Sequence, residues 1–139
     1  MTDLCPEYAE GEAPIALLAI DFVCDEAGGI GKGRFVTITD GNTWPPKGHE
    51  ADAGEVVTGV AMEAVSNGET GSVLLIGMIK MEFGGALTAG DSVKTDNAGM
   101  PVKALAADDH RSGGIALQSG SDGDLGLIFV GYPLHGVGT

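Results

Sequence analysis

Basic residues are scarce in this 139-residue chain: 7 Lys and Arg stand against 20 Asp and Glu, a formal net charge of −13. Binding to nucleic acid needs a basic patch that releases the phosphate counterions, so no nucleic-acid partner is expected. An anionic membrane surface is set aside on the same ground. Cysteine is limited to Cys5 and Cys24, with no metal-type spacing around either. A single disulfide between them stays open, and free thiols in a reducing cytosol are the simpler expectation. Aromatic residues are 5% of the chain, with one Trp, so much of the core must come from Ala and Val. No apolar run is long enough to span a bilayer. The most apolar stretch near the start, PIALLAIDFVC from Pro14 to Cys24, is too short and carries Asp21. The residues before it are acidic (Asp3, Glu7, Glu10, Glu12), the opposite of a signal peptide's basic start.

What is abundant is glycine, at 24 of 139 residues and without a strict three-residue period, which excludes collagen. Glycine is unfavourable inside helices because it loses the most backbone entropy on folding. The length suits one domain with one modest core. Together these predict an all-β chain with a thin core and many tight turns. The acidity serves solubility in its plainest reading. A sharper reading is a protein that must stay dispersed at high concentration until it meets a particular surface.

The chain writes one passage twice. GVAMEAVSNGETGSVLL (59–75) aligns without a gap to GIALQSGSDGDLGLIFV (114–130), with Gly59, Ala61, Ser66, Gly68 and Gly71 falling on Gly114, Ala116, Ser121, Gly123 and Gly126. Each copy reads apolar segment, turn, apolar segment. The turns are Ser66-Asn67-Gly68-Glu69 and Ser121-Asp122-Gly123-Asp124, and Asn-Gly or Asp-Gly suits a type I′ hairpin. Upstream, Ile30, Gly33 and Val36 match Leu87, Gly90 and Val93. This predicts two related β units, about 30–80 and 87–134, packed together as a small β-barrel or β-sandwich because one alone would expose an apolar face. Residues 1–29 form an extended N-terminal arm and first strand, and 30–139 the β domain. Residues 34–39 read as a strand, 42–55 as a loop, and two short strands flank Asp96-Asn97-Ala98-Gly99.

Catalytic and cofactor patterns are missing. GGIGKG (28–33) lacks the four-residue spacing and the Ser or Thr of a phosphate loop. His49, His110 and His135 lie in different segments, and Asp108 and Asp109 beside His110 read as a solvated loop. SNGET and SDGD lack the alternating ligands of a calcium loop. No catalytic residue, metal ligand or cofactor site is therefore assigned. Arg111-Ser112-Gly113-Gly114-Ile115-Ala116-Leu117 is similar to a short motif of trimeric dUTP pyrophosphatases, over about seven residues and without that family's substrate loop or tail. Trp44-Pro45-Pro46 is the most singular surface-type feature. Trp44 either tucks into the core or serves as an aromatic anchor on a stiff loop.

Three segments in order, GEVVTGVAMEAVSNGETGSVLLIGMIKM, LTAGDSVKTDNAGMPVKA and GGIALQSGSDGDLGLIFVG, resemble the capsid decoration proteins of tailed phages, also called cement or head-stabilising proteins. The resemblance implies a small non-enzymatic β protein, a homotrimer, seated on the outer face of the capsid after assembly in the host cytoplasm. The major capsid protein is its partner, and no cofactor is needed. Trp44, Pro45, Pro46, Glu7, Glu10 and Glu12 are the candidate capsid or subunit contacts, and deleting 1–13 is expected to leave the fold intact. The alternatives are a trimeric dUTP pyrophosphatase-like hydrolase and a glycan-binding β module.

Overall fold

The computed structural model describes residues 2–105 and 112–131, and every regular element among them is a strand. The order is β1 (Ile15–Cys24), β2 (Phe35–Asp40), β3 (Lys47–Glu50), β4 (Gly59–Ala61), β5 (Thr70–Glu82), β6 (Ser92–Thr95), β7 (Pro101–Lys103), β8 (Gly114–Ala116) and β9 (Leu125–Val130). The all-β expectation holds. All nine join one sheet in the order β1-β3-β2-β4-β5-β9-β8-β6-β7, and β1 also pairs with β5. Strands β1, β3, β2, β4 and β5 thus close into a ring of pairings. The β1–β3 contact is parallel, with Val23 opposite Lys47. His110 and His135, with the Asp108–Arg111 segment and the last eight residues, lie outside the described residues.

The doubled passage is doubled in register. Phe35, Val60 and Leu74 stand in one row across β2, β4 and β5. Ser92, Ile115 and Phe129 stand in the equivalent row across β6, β8 and β9. Even the isolated bridges agree, Ile30 with Val65 and Leu87 with Gly120. Sequence similarity starts the units at residues 30 and 87, but the hydrogen bonds begin each a strand earlier. Cys24 N–H donates to Glu69 O at 2.8 Å and Phe83 N–H donates to Asp124 O at 2.8 Å. The first half of β5 therefore ends the first unit against β1, and its second half opens the next unit against β9. One long strand serves both, which is why β5 runs to 13 residues where β4 has 3 and β9 has 6.

Burial follows the same equivalence. Phe22, Cys24, Ile30, Val36, Ala61, Val65 and Val73 fill the first unit. Their counterparts Met81, Phe83, Leu87, Val93, Ala116 and Ile128 belong to a second cluster, which also takes in Phe35, Val60 and Leu74 from the outward face of the first unit. The side chains alternate across each strand, so Val36, Ala61 and Val73 point into their unit while the neighbouring row points out and is covered by the other unit. Cys5 and Cys24 are buried free thiols, each raised above the ordinary thiol range chiefly by burial.

Two local expectations change. The segment 42–55, read as loop, contains β3, because Lys47–Glu50 finds pairing partners in β2 and β1. The Asn67-Gly68 turn closes as a four-residue turn, with Glu69 N–H donating to Ser66 O at 2.9 Å and Gly68 at a φ of 86°. It does not join directly paired neighbours as a tight hairpin would. Val65 bonds to Ile30, and β4 meets β5 only at Leu74 and Val73.

Candidate interaction surface

The arm that precedes β1 is folded onto the domain. Leu125 N–H donates to Thr2 O at 2.7 Å and Leu4 N–H to Leu125 O at 2.8 Å, which ties the start of the arm to β9. Gly11 N–H donates to Lys80 O at 2.8 Å and Lys80 N–H to Glu12 O at 3.0 Å, which ties its end to β5. Between these points the arm crosses Lys80, whose side chain is fully buried. The ammonium donates to Cys5 O at 2.9 Å and to Tyr8 O, and forms an ion pair with Asp3. Three donors thus meet three acceptors, the condition under which a buried charge is tolerated.

Leu4 seats beside Gly120, Gly126 and Phe83. In the first unit the equivalent of Gly120 is Val65, whose own side chain packs against Gly71. The arm therefore supplies from a distance the side chain that the second unit lacks at Gly120.

Of the arm's candidate contacts, Glu7 and Glu12 are exposed and Glu10 is half-buried. Glu12 Oε1 accepts from Ala9 N–H at 2.7 Å. Glu10 faces Arg34 Nη2 at 4.0 Å, and the same nitrogen lies 3.5 Å from Glu82. Glu10 Oε2 and Arg34 Nη1 are buried without a hydrogen-bond partner. Burial pushes the Glu10 carboxyl up, Arg34 opposes this, and Glu82 adds to it. A carboxyl raised in the folded state favours folding at pH below its unfolded pKa, and that contribution is lost as pH rises through the folded value. Glu10→Gln is accordingly expected to melt above the native protein at pH 7, with the gain shrinking toward pH 4. Thermal melts across that range check it, and a constant gain or a loss at pH 7 would refute the titration of Glu10 as the cause.

The Trp-Pro-Pro loop joins β2 to β3. Its base is fixed, since Pro46 is buried and its carbonyl accepts from Val23 N–H at 2.8 Å. Pro45 is half-buried, and Trp44 at the tip is 75% exposed. The core reading of Trp44 is thereby corrected: the loop turns the indole away from both units. A second apolar feature was not singled out from sequence. Ile15, Leu18, Ile76, Ile115, Leu117 and Phe129 are each 36–48% exposed. Ile15 pairs with Met78, Met78 with Phe129, and Phe129 with Ile115, so these side chains share one outward face. The alternating apolar residues of β5, β8 and β9 were a visible signal, but strand alternation alone does not say which of two apolar faces stays uncovered.

His49 is brought close to two acids. Its Nε2 lies 2.8 and 2.9 Å from the carboxylate oxygens of Glu55, and the ligand-type atoms of His49, Asp52 and Glu55 all lie within 4.8 Å of one another. Asp52 N–H also donates to Glu55 at 2.7 Å, and these bonds outweigh burial in holding the Glu55 carboxyl below its ordinary range. The group works as a loop clasp: hydrogen bonds tie His49 at the end of β3 to Glu55 in the β3–β4 connection.

A model of phage cement proteins matches residues 16–131. The chain belongs to the phage cement protein family. That span runs from β1 to the end of β9 and includes both units and the Trp44 loop. Among curated proteins none matches the chain. Among solved structures, the base of the head fibre gp8.5 of bacteriophage phi29 superposes with a TM-score of 0.63 at 16% identity, covering 81% of this chain and 94% of that one. At that identity the likeness concerns the fold. The family is one of structural, capsid-associated phage proteins, and the role of this cement protein lies in that class.

Proposed function

We propose that this cement protein binds the outer surface of the major capsid shell as a homotrimer and stabilises the head without catalysing a reaction. Membership of the cement family, carried by 116 matched residues (16 to 131), is the observation that carries the reading. The surface supports it. A stiff loop presents Trp44, Pro45 and Pro46, an acidic arm presents Glu7 and Glu12 with Glu10 behind them, and an apolar face stands ready for burial. A trimer would carry three times −13, or −39 charges, which keeps free copies apart in solution. On a shell with many seats, weak contacts repeated between linked subunits add up.

The test is co-sedimentation of the full chain with intact phage heads that lack it. Binding is expected to plateau at a fixed number of copies per capsid subunit, and decorated heads should survive heating that bursts bare ones. Absence of binding to vacant heads would sink the capsid reading.

A further inference from the structure

His49 is the one histidine among the described residues, and the fold gives it two carboxylates as neighbours. His49, Asp52 and Glu55 occupy every third position on a turn that is pinned at both ends. His49 is fixed in β3 opposite Thr37, and Ala51 N–H donates to Phe35 O at 2.9 Å. Glu55 N–H donates to Asp52 O at 3.0 Å, with Gly54 at a φ of 89° completing the turn. Just beyond it, Thr37 Oγ1 donates to Val56 O at 2.9 Å. The second unit also holds this turn, through Ala53 N–H to Asn97 Oδ1 at 3.0 Å and Thr95 Oγ1 to Ala51 O at 3.3 Å. The three side chains therefore converge from a backbone that is already set, which is what a preformed metal site requires.

A proton alone is a poor occupant of this group. His49 Nε2 lies 2.8 and 2.9 Å from the two Glu55 oxygens, but it carries at most one hydrogen, which cannot point at both. A cation has no such direction. Ligands about 2.1 Å from one ion and about a right angle apart lie about 3.0 Å from each other, close to those two separations. Glu55 Oε1 also accepts Asp52 N–H at 2.7 Å, which orients the carboxylate and leaves it lone pairs for an ion. The whole set falls within 4.8 Å, and Asp52 is exposed, so its carboxylate is free to swing the remaining distance. We propose that His49 Nε2 and the carboxylates of Glu55 and Asp52 form a site for a divalent transition-metal cation of the zinc class. The donor set selects that class: imidazole nitrogen suits zinc, copper and nickel, whereas calcium and magnesium favour oxygen ligands alone. Two carboxylates balance the double charge of the ion, and three protein ligands leave a coordination position for water. A bound ion would replace the His49–Glu55 hydrogen bonds and lock the turn that Asn97 and Thr95 of the second unit hold. The site belongs to the single chain and does not depend on the capsid reading.

Calorimetric titration of the full chain with Zn²⁺ is expected to saturate at one ion per chain. The melting temperature should rise with it, because the ion binds the folded state selectively. Millimolar Ca²⁺ or Mg²⁺ should not displace the zinc. Loss of a residue that merely supports a metal ligand costs about 10–100-fold in affinity, so removing a ligand should cost at least as much. His49→Gln is accordingly expected to weaken binding by about 100-fold or more, and Asp52→Asn by about tenfold or more. In metal-free buffer both variants should melt close to the native chain, since glutamine keeps an N–H for Glu55 and Asp52 is exposed. The double variant His110→Gln with His135→Gln should bind zinc as the native chain does. Any of four results would overturn the proposal: no saturable binding of Zn²⁺, unchanged affinity in either single variant, loss of binding in the double variant, or displacement by millimolar Ca²⁺ or Mg²⁺.

Discussion

Replacing Lys80 by Met is expected to lower the unfolding free energy by about 1–3 kcal/mol, the cost of leaving a buried acceptor without its donor. Methionine keeps an apolar stem of similar length but removes the ammonium that Cys5 O, Tyr8 O and Asp3 share. Cys5 O keeps the Tyr8 N–H at 3.2 Å, Tyr8 O loses the ammonium, and Asp3, 38% exposed, can regain water. The equivalent position in the first unit is Asp21 on β1, which lies exposed. Lys80 is buried because the arm lies over it, and the arm is held there because Lys80 binds its backbone. Urea unfolding measures the loss, and proteolysis within residues 2–13 should accelerate in parallel. An unchanged urea midpoint would mean that the arm adds nothing to stability.

The same contact gives the arm an acid limit. The hydrogen bond from Lys80 holds the Asp3 carboxyl below its ordinary range against an opposing desolvation. Asp124 is lowered by its bonds from Ser121 and Thr2 N–H. For a lowered carboxyl the stabilisation is present above the unfolded pKa and disappears as pH falls through the folded value. The arm should therefore loosen in strong acid and stay fixed at neutral pH. Deletion of residues 1–13, expected from sequence to be harmless to the fold, would instead bare Lys80 and empty the seat of Leu4.

The second large effect is expected at Gly114. A Cβ there would run into the carbonyl oxygen of Phe129 on β9, and at the equivalent Gly59 into the carbonyl oxygen of Leu74 on β5. Both obstacles are backbone atoms of a paired strand, so neither can rotate aside. Gly114→Ala is expected to cost more than about 4 kcal/mol, in the exceptional range for one substitution. Soluble yield and circular dichroism should show a chain that does not fold. Gly123→Ala is the control: nothing lies within 4 Å of its Cβ, and only a φ of 87° opposes the substitution. It should cost about 1–2 kcal/mol, the penalty for an L residue in that region. Equal behaviour of the two variants would remove the backbone collision as the explanation.

These two glycines also mark how far the sequence could be read. Gly59 and Gly114 head the doubled passage because β4 and β8 approach their neighbours too closely for any side chain, and that constraint repeats wherever the unit repeats. The turns at Gly68 and Gly123, the inward Val36 and Val93, and the bridge residues Ile30 and Leu87 were legible for the same reason: each is required by its own few neighbours. The all-β class and the family resemblance rested on such locally required residues.

Other features depended on partners far along the chain. Lys47–Glu50 has no strand pattern of its own and becomes β3 because β1 and β2 offer its backbone pairing partners. Lys80 reads as a surface residue until an arm seventy-five positions earlier closes over it. Trp44 could have filled a core, and only the arrangement of the two units shows that both cores are complete without it. By itself the sequence determined the repeat, the turns and the class of fold, since these follow from local backbone sterics and the alternation of side chains. Only the tertiary structure decided which apolar row is covered and where the single Trp points, because covering a surface is a property of two elements brought together.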